Sequence, residues 1–93
     1  KKGVYMQDKD IFNFFKALFS GLDYSTDFQY NQAIQQVMQN PWISPDYKNY
    51  IIQRINNEYN LKKEQLKNGK DATDFLENIY KIVESYNSEN NKK

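Results

Sequence analysis

Apolar positions fall into four groups along the chain, each spaced for a helix. In the first, Ile11, Phe14, Phe15, Leu18 and Phe19 recur at i, i+3, i+4, i+7 and i+8, with Phe12 widening the stripe. That spacing lines one face of a helix and predicts one over about 9–20. Asp8 or Asp10 would cap its start, and Gly21 stands where a C-cap is expected. The second stripe is Tyr30, Ala33, Ile34, Val37 and Met38, predicting a helix over about 27–39. Ser25, Thr26 and Asp27 all suit its N-cap, and Gln29, Gln32, Gln35, Gln36 and Gln39 form a polar outer face. Asn40-Pro41 ends it, because a residue before proline is pushed out of the helical region.

Ser44-Pro45-Asp46 signals the next start: a capping hydroxyl, a proline at the first position and an acid in the first turn. Tyr47, Tyr50, Ile51, Ile55 and Tyr59 share a side of this third helix, expected over about 45–67, and Asn68-Gly69 closes it. Asp71 is placed to cap a fourth helix over about 72–86, with the broad stripe Ala72, Phe75, Leu76, Ile79, Tyr80, Ile82, Val83 and Tyr86. No segment alternates apolar and polar residues with the two-residue period of a strand.

These patterns predict an all-α fold: a compact three-helix orthogonal bundle plus a fourth C-terminal helix. Residues 1–7 read as a flexible N-terminal segment, 8–86 as one helical domain, and 87–93 as a disordered polar tail. Helix four would complete the core or offer its stripe to a neighbouring chain, the first being favoured.

Composition narrows the chemistry. At 93 residues the chain holds one core, not two. It has no cysteine and no histidine, which removes disulfides, thiol nucleophiles, the commonest general base and the commonest transition-metal ligands. The glycines are isolated at 3, 21 and 69, so no phosphate-cradling loop is present. The acid pairs Asp8/Asp10 and Asp71/Asp74 sit at predicted helix starts, where carboxylates serve capping and the helix dipole. An enzyme is not expected, and neither a cofactor nor a metal is implied. Thirteen basic against twelve acidic residues leave a net charge of +1, with no general pull toward nucleic acid or an anionic membrane. No apolar run suits a bilayer or a signal peptide, and the first residue is not methionine, as expected of a fragment or a processed form of a longer protein.

What remains is recognition. Trp42, the one tryptophan, lies in the turn between helices two and three; it reads first as a plug for the core and second as an exposed anchor. Tyr47, Lys48, Tyr50 and Arg54 on helix three form a Tyr/Lys/Arg mixture suited to a peptide or a phosphate. The blander reading is a solvated face with half-buried tyrosines. Lys62, Lys63, Lys67 and Lys70 make a basic cluster diluted by Glu64, a weak nucleic-acid signal.

Between Phe15 and Ile43 the chain resembles an FF domain, a short helical protein-interaction module of splicing and transcription factors. Phe15-Lys16-Ala17-Leu18-Phe19 matches its first-helix Phe and hydrophobic pair, Tyr30 takes the place of the aromatic opening the second helix, and Asn40-Pro41 that of its closing Asp-Pro. Trp42-Ile43 meets the aromatic-hydrophobic position that follows. The chain departs from the pattern in its short Trp42-to-Ser44 connector and in Tyr50-Ile51, where helix three usually carries a second Phe. The resemblance implies a nuclear adaptor that binds short, often acidic or phosphorylated segments of partner proteins and brings no catalytic residues.

The expected function is therefore a non-catalytic adaptor binding peptide segments of a partner, in transcription or pre-mRNA splicing if the resemblance holds, with Trp42, Tyr47, Lys48, Tyr50 and Arg54 as binding residues. The competing readings are a small helical nucleic-acid-binding or replication-associated domain, and a structural subunit completing a larger assembly. The expected location is intracellular: nuclear under the resemblance, otherwise cytoplasmic, and without a membrane partner.

Overall fold

The computed structural model describes residues 5–91. Four α-helices account for most of them: α1 Asp8–Ser20, α2 Phe28–Gln39, α3 Pro45–Lys67 and α4 Ala72–Asn91. Among the described residues no strand occurs, and the fold is an all-α bundle. α3, at 23 residues, is about 34 Å long at the helical rise and is the longest of the four.

Each helix packs against two others. α4 lies between α1 and α3 on one side of the core, and α2 bridges the same two helices on the other. α3 and α4 run antiparallel, because Tyr47 meets Asn87 at one end and Lys62 meets Asp74 at the other. α2 and α3 are antiparallel too: Tyr30 stacks on Tyr59, and Lys48 reaches Met38. The stripe of α4 is thus covered within its own chain. Phe75, Ile79 and Val83 are fully buried, while Ala72, at the helix start, is exposed.

The core follows the stripes. Ile11, Phe15 and Phe19 come from α1; Tyr30, Ala33, Ile34 and Val37 from α2; Tyr47, Ile51, Ile55, Tyr59 and Leu66 from α3. One end of it is aromatic. Tyr30 and Tyr59 stack with centroids 3.7 Å apart, and the Phe75 ring stands tilted or edge-on to both and to Tyr24. Such rings bury much apolar area and favour these edge and offset arrangements.

The caps carry the chain between helices. Ser44 Oγ accepts the Tyr47 amide at 3.3 Å, with Pro45 at the first helical position, as the sequence predicts. α3 closes in a Schellman motif: the Lys70 amide donates to the Gln65 carbonyl and the Gly69 amide to that of Leu66. Gly69 takes the left-handed φ of 78° that this motif requires, and Asp71 follows with φ 65° just before α4. Gly21, by contrast, closes α1 at φ −106°, a conformation open to any residue.

Several expectations are corrected. Neither Asp8 nor Asp10 caps α1; Gln7 is the N-cap, without a side-chain bond, and both acids lie inside the first turn, where the dipole favours them. Asp27 is the N-cap of α2, yet its carboxylate accepts from the Tyr59 hydroxyl (2.6 Å) and pairs with Lys67 (3.4 Å) instead of serving its own helix. In the described part of the N-terminal segment, the Met6 amide donates to the Trp42 carbonyl at 2.7 Å, and the Met6 side chain packs on the core. The helix continues through residues 87–91, expected to be tail, because Tyr86 and Asn87 still have α3 partners in Tyr47 and Tyr50. Residues 1–4 and 92–93 of the two expected flexible ends lie outside the described residues.

Candidate peptide groove between α2 and α3

The α2–α3 seam is closed at one end and open at the other. At the closed end the Tyr30 hydroxyl donates to Asn56 Oδ1, and Tyr59 donates to Asp27. Desolvation pushes the hydroxyls of Tyr30 and Tyr59 well above the ordinary tyrosine range, and for Tyr59 the Asp27 carboxylate adds to the effect. The bond from Tyr59 in turn holds Asp27 below the usual carboxylate range, with the Lys67 cation adding to it.

Toward the other end the seam opens into a groove of about 460 Å³, lined by Met38, Pro45, Lys48, Asn49, Ile52 and Gln53. Met38 is 52% exposed although it belongs to the apolar stripe of α2. Of the described lining residues Lys48 alone is charged. Its Nζ donates to the Met38 carbonyl at 2.9 Å, satisfying an orphan acceptor at the C-terminus of α2.

Trp42 lies in the turn between α2 and α3, outside the lining of this groove, and is 56% exposed, so it does not plug the core. Its neighbour Ile43, 1% exposed, takes that place. The turn is built by Asn40, whose side-chain oxygen accepts the Trp42 amide at 2.8 Å and whose carbonyl accepts that of Ile43. With the carbonyl of Trp42 bonded to Met6, the backbone is tied on both sides while the indole faces solvent.

The five residues singled out in the sequence do not converge. Tyr47 is buried, packs on Tyr86 with centroids 4.2 Å apart, and donates to Asn87 Oδ1 at 2.7 Å. Tyr50 is half-buried against Tyr86, and the Arg54 guanidinium lies over its ring at 4.3 Å, a cation–π contact. These three belong to the α3–α4 side. Lys48 lies on the α2 side, and Trp42 in the turn. Of the five, Lys48 alone lines the groove, beside Met38, Pro45, Asn49, Ile52 and Gln53, residues that pattern reading assigns to core or solvent. The available signal was the pairs Val37-Met38 and Ile51-Ile52: neighbours on a helix point about 100° apart, so one of each pair leaves the buried face.

The other chemical candidates resolve into structure. Lys62 bridges Asp74 at 2.9 Å and Glu58 at 3.7 Å, and Lys67 pairs with Asp27, so two of the four clustered lysines already have acidic partners. The bond to Asp74 holds the Lys62 ammonium above its ordinary range. Among the described residues no group of three or more acids is placed to hold a metal, and no helix is long and apolar enough to cross a membrane. No family model matches the chain, and neither the curated proteins nor the solved structures yield a match.

Proposed function

We propose that this chain is a non-catalytic interaction module that takes a short peptide segment of a partner protein into the α2–α3 groove. The observation that carries the reading is an open groove between otherwise packed helices, with Met38 more than half exposed in its lining and Trp42 more than half exposed in the turn that follows α2. Large side chains of this kind, flanked by a few polar groups, are the usual anchors of peptide recognition. Lys48, the only charge in the described lining, suits a carboxylate or phosphate beside an apolar anchor, in line with the acidic or phosphorylated segments that the FF resemblance implies. Under that resemblance the setting is transcription or pre-mRNA splicing in the nucleus; without it the same groove serves a cytoplasmic adaptor equally well.

Titration of the ¹⁵N-labelled domain with acidic and phosphorylated peptides bearing one bulky apolar residue tests the reading. The amides of Met38, Trp42, Lys48 and Ile52 are expected to shift together and saturably. If no peptide moves them, the groove is not a peptide site. The nucleic-acid reading draws less support, since Lys62 and Lys67 are paired, and salt-independent failure to retain DNA or RNA would end it.

A further inference from the structure

α2 differs from the other three helices in carrying no charged residue in its 12 positions, whereas α1, α3 and α4 each carry charges of both signs. Its outward face is nevertheless exposed. Phe28 is 65% exposed at the N-terminal end, and Asn31, Gln32, Gln35 and Gln36 follow it around a shallow depression of about 430 Å³. Phe28, Gln32, Gln35 and Gln39 are spaced by four, three and four residues, which places them in one stripe along the helix.

That spacing is palindromic. Laid antiparallel on a copy of itself, the stripe sets Phe28 opposite Gln39 of the copy and Gln32 opposite Gln35 of the copy. A twofold interface demands such self-complementarity. The chemistry satisfies it as well. A primary amide carries both donors and an acceptor, so facing glutamines bond to one another without a second residue type. No ion has to be stripped of water, the step that makes charged faces costly to bury. The Phe28 ring would lie over the aliphatic stem of the facing Gln39.

From these features we propose that a second copy of this chain docks on the outer face of α2, forming an antiparallel α2–α2 pair about a twofold axis between Gln32 and Gln35. The face spans only about 18 Å of helix, well short of the area that permanent dimers bury, so the association is weak and concentration-dependent. It lies on the side of α2 away from the core and does not depend on the peptide groove.

The test is the rotational correlation time of the labelled chain between about 20 μM and about 1 mM, a range chosen for weak association. It is expected to climb toward the dimer value, with shift changes concentrated at residues 28, 32, 35 and 39. A correlation time that stays monomeric across the range overturns the proposal. Substituting Gln32→Glu together with Gln35→Glu leaves the buried face of α2 intact and brings four carboxylates together at the axis. This variant is expected to stay monomeric, and undiminished association would overturn the proposal. Mixing it with a second variant, Gln32→Lys with Gln35→Lys, sets opposite charges across the axis and is expected to restore pairing. Failure to restore it overturns the antiparallel register.

Discussion

The two seams along α3 are built differently, and the difference separates structure from candidate function. On its α4 side, side-chain pairs tie the whole length: Tyr47 to Asn87, Tyr50 to Ser85 and Tyr86, Glu58 to Asn78, Lys62 to Asp74. On its α2 side, the ties gather at one end, around Tyr30, Tyr59, Asn56 and Asp27, and the other end holds a single bond from Lys48 beside an open groove. A seam zipped along its length spends its side chains on itself. A seam zipped at one end leaves Met38 and Ile52 incompletely covered and free to meet something else.

The aromatic cluster where the closed ends of both seams meet should be the most sensitive place in the molecule. Phe75 is fully buried and touches Tyr24, Tyr30 and Tyr59, so Phe75→Ala removes a ring on which three others rest. The expected loss is about 3–5 kcal/mol, enough to consume much of the stability of a small domain, and urea denaturation measures it. A loss below about 1 kcal/mol would mean that the cluster is not the common anchor of the two seams.

Alkaline pH attacks the same cluster without mutation. Tyr24, Tyr30 and Tyr59 are held neutral by burial, so their folded pKa lies above the unfolded value of about 10. Stability from such groups is fully present below pH ~10 and is lost as pH rises from there through the folded values. The denaturation midpoint should therefore hold level from neutrality to about pH 9 and fall beyond pH ~10. At the acid end, the lowered pKa of Asp27 gives stability that is present above the unfolded value of about 3.9 and is lost as pH falls through the folded one. Replacing Asp27 with Asn should flatten that acid limb while leaving the alkaline fall in place.

On the zipped side the individual ties are small. Tyr47→Phe keeps the ring on Tyr86 and deletes only the bond to Asn87, an expected loss of about 0.5–1.5 kcal/mol by thermal melting. The same substitution should raise hydrogen exchange at the C-terminal end of α4, since Asn87 loses its partner there.

The helices were legible in the sequence because each carries a stripe, and a stripe is a local property of the chain. Where burial is decided by tertiary approach, the pattern falls short. Tyr24 lies in the loop between α1 and α2, with no periodicity around it, yet it is buried, and its hydroxyl donates to the Phe19 carbonyl at the end of α1 (2.7 Å). Trp42 and Ile43 are adjacent in one turn, and the larger of the two faces out because the Asn40-centred bonds, not hydrophobicity, orient that backbone. Residues 87–91 are polar and show no stripe; contacts from α3 to Tyr86 and Asn87 carry the helix past the last apolar position. The groove was the least visible feature, since its residues are the flanks of stripes whose centres face the core, and only the approach of α2 to α3 sets them side by side.

The smallest effects on stability are expected at the open end, and they test the comparison most directly. Trp42→Ala and Met38→Ala remove side chains that are more than half exposed, so each should change the unfolding free energy by no more than about 0.5 kcal/mol. Neither deletes a hydrogen bond of the turn, because Trp42 is tied through its backbone and Lys48 bonds the carbonyl of Met38. If the groove takes a peptide, the same two variants should weaken that binding at least tenfold while melting like the parent domain. A loss of 2 kcal/mol or more in either variant would place those side chains in a packed seam, and the contrast between the two sides of α3 would then collapse.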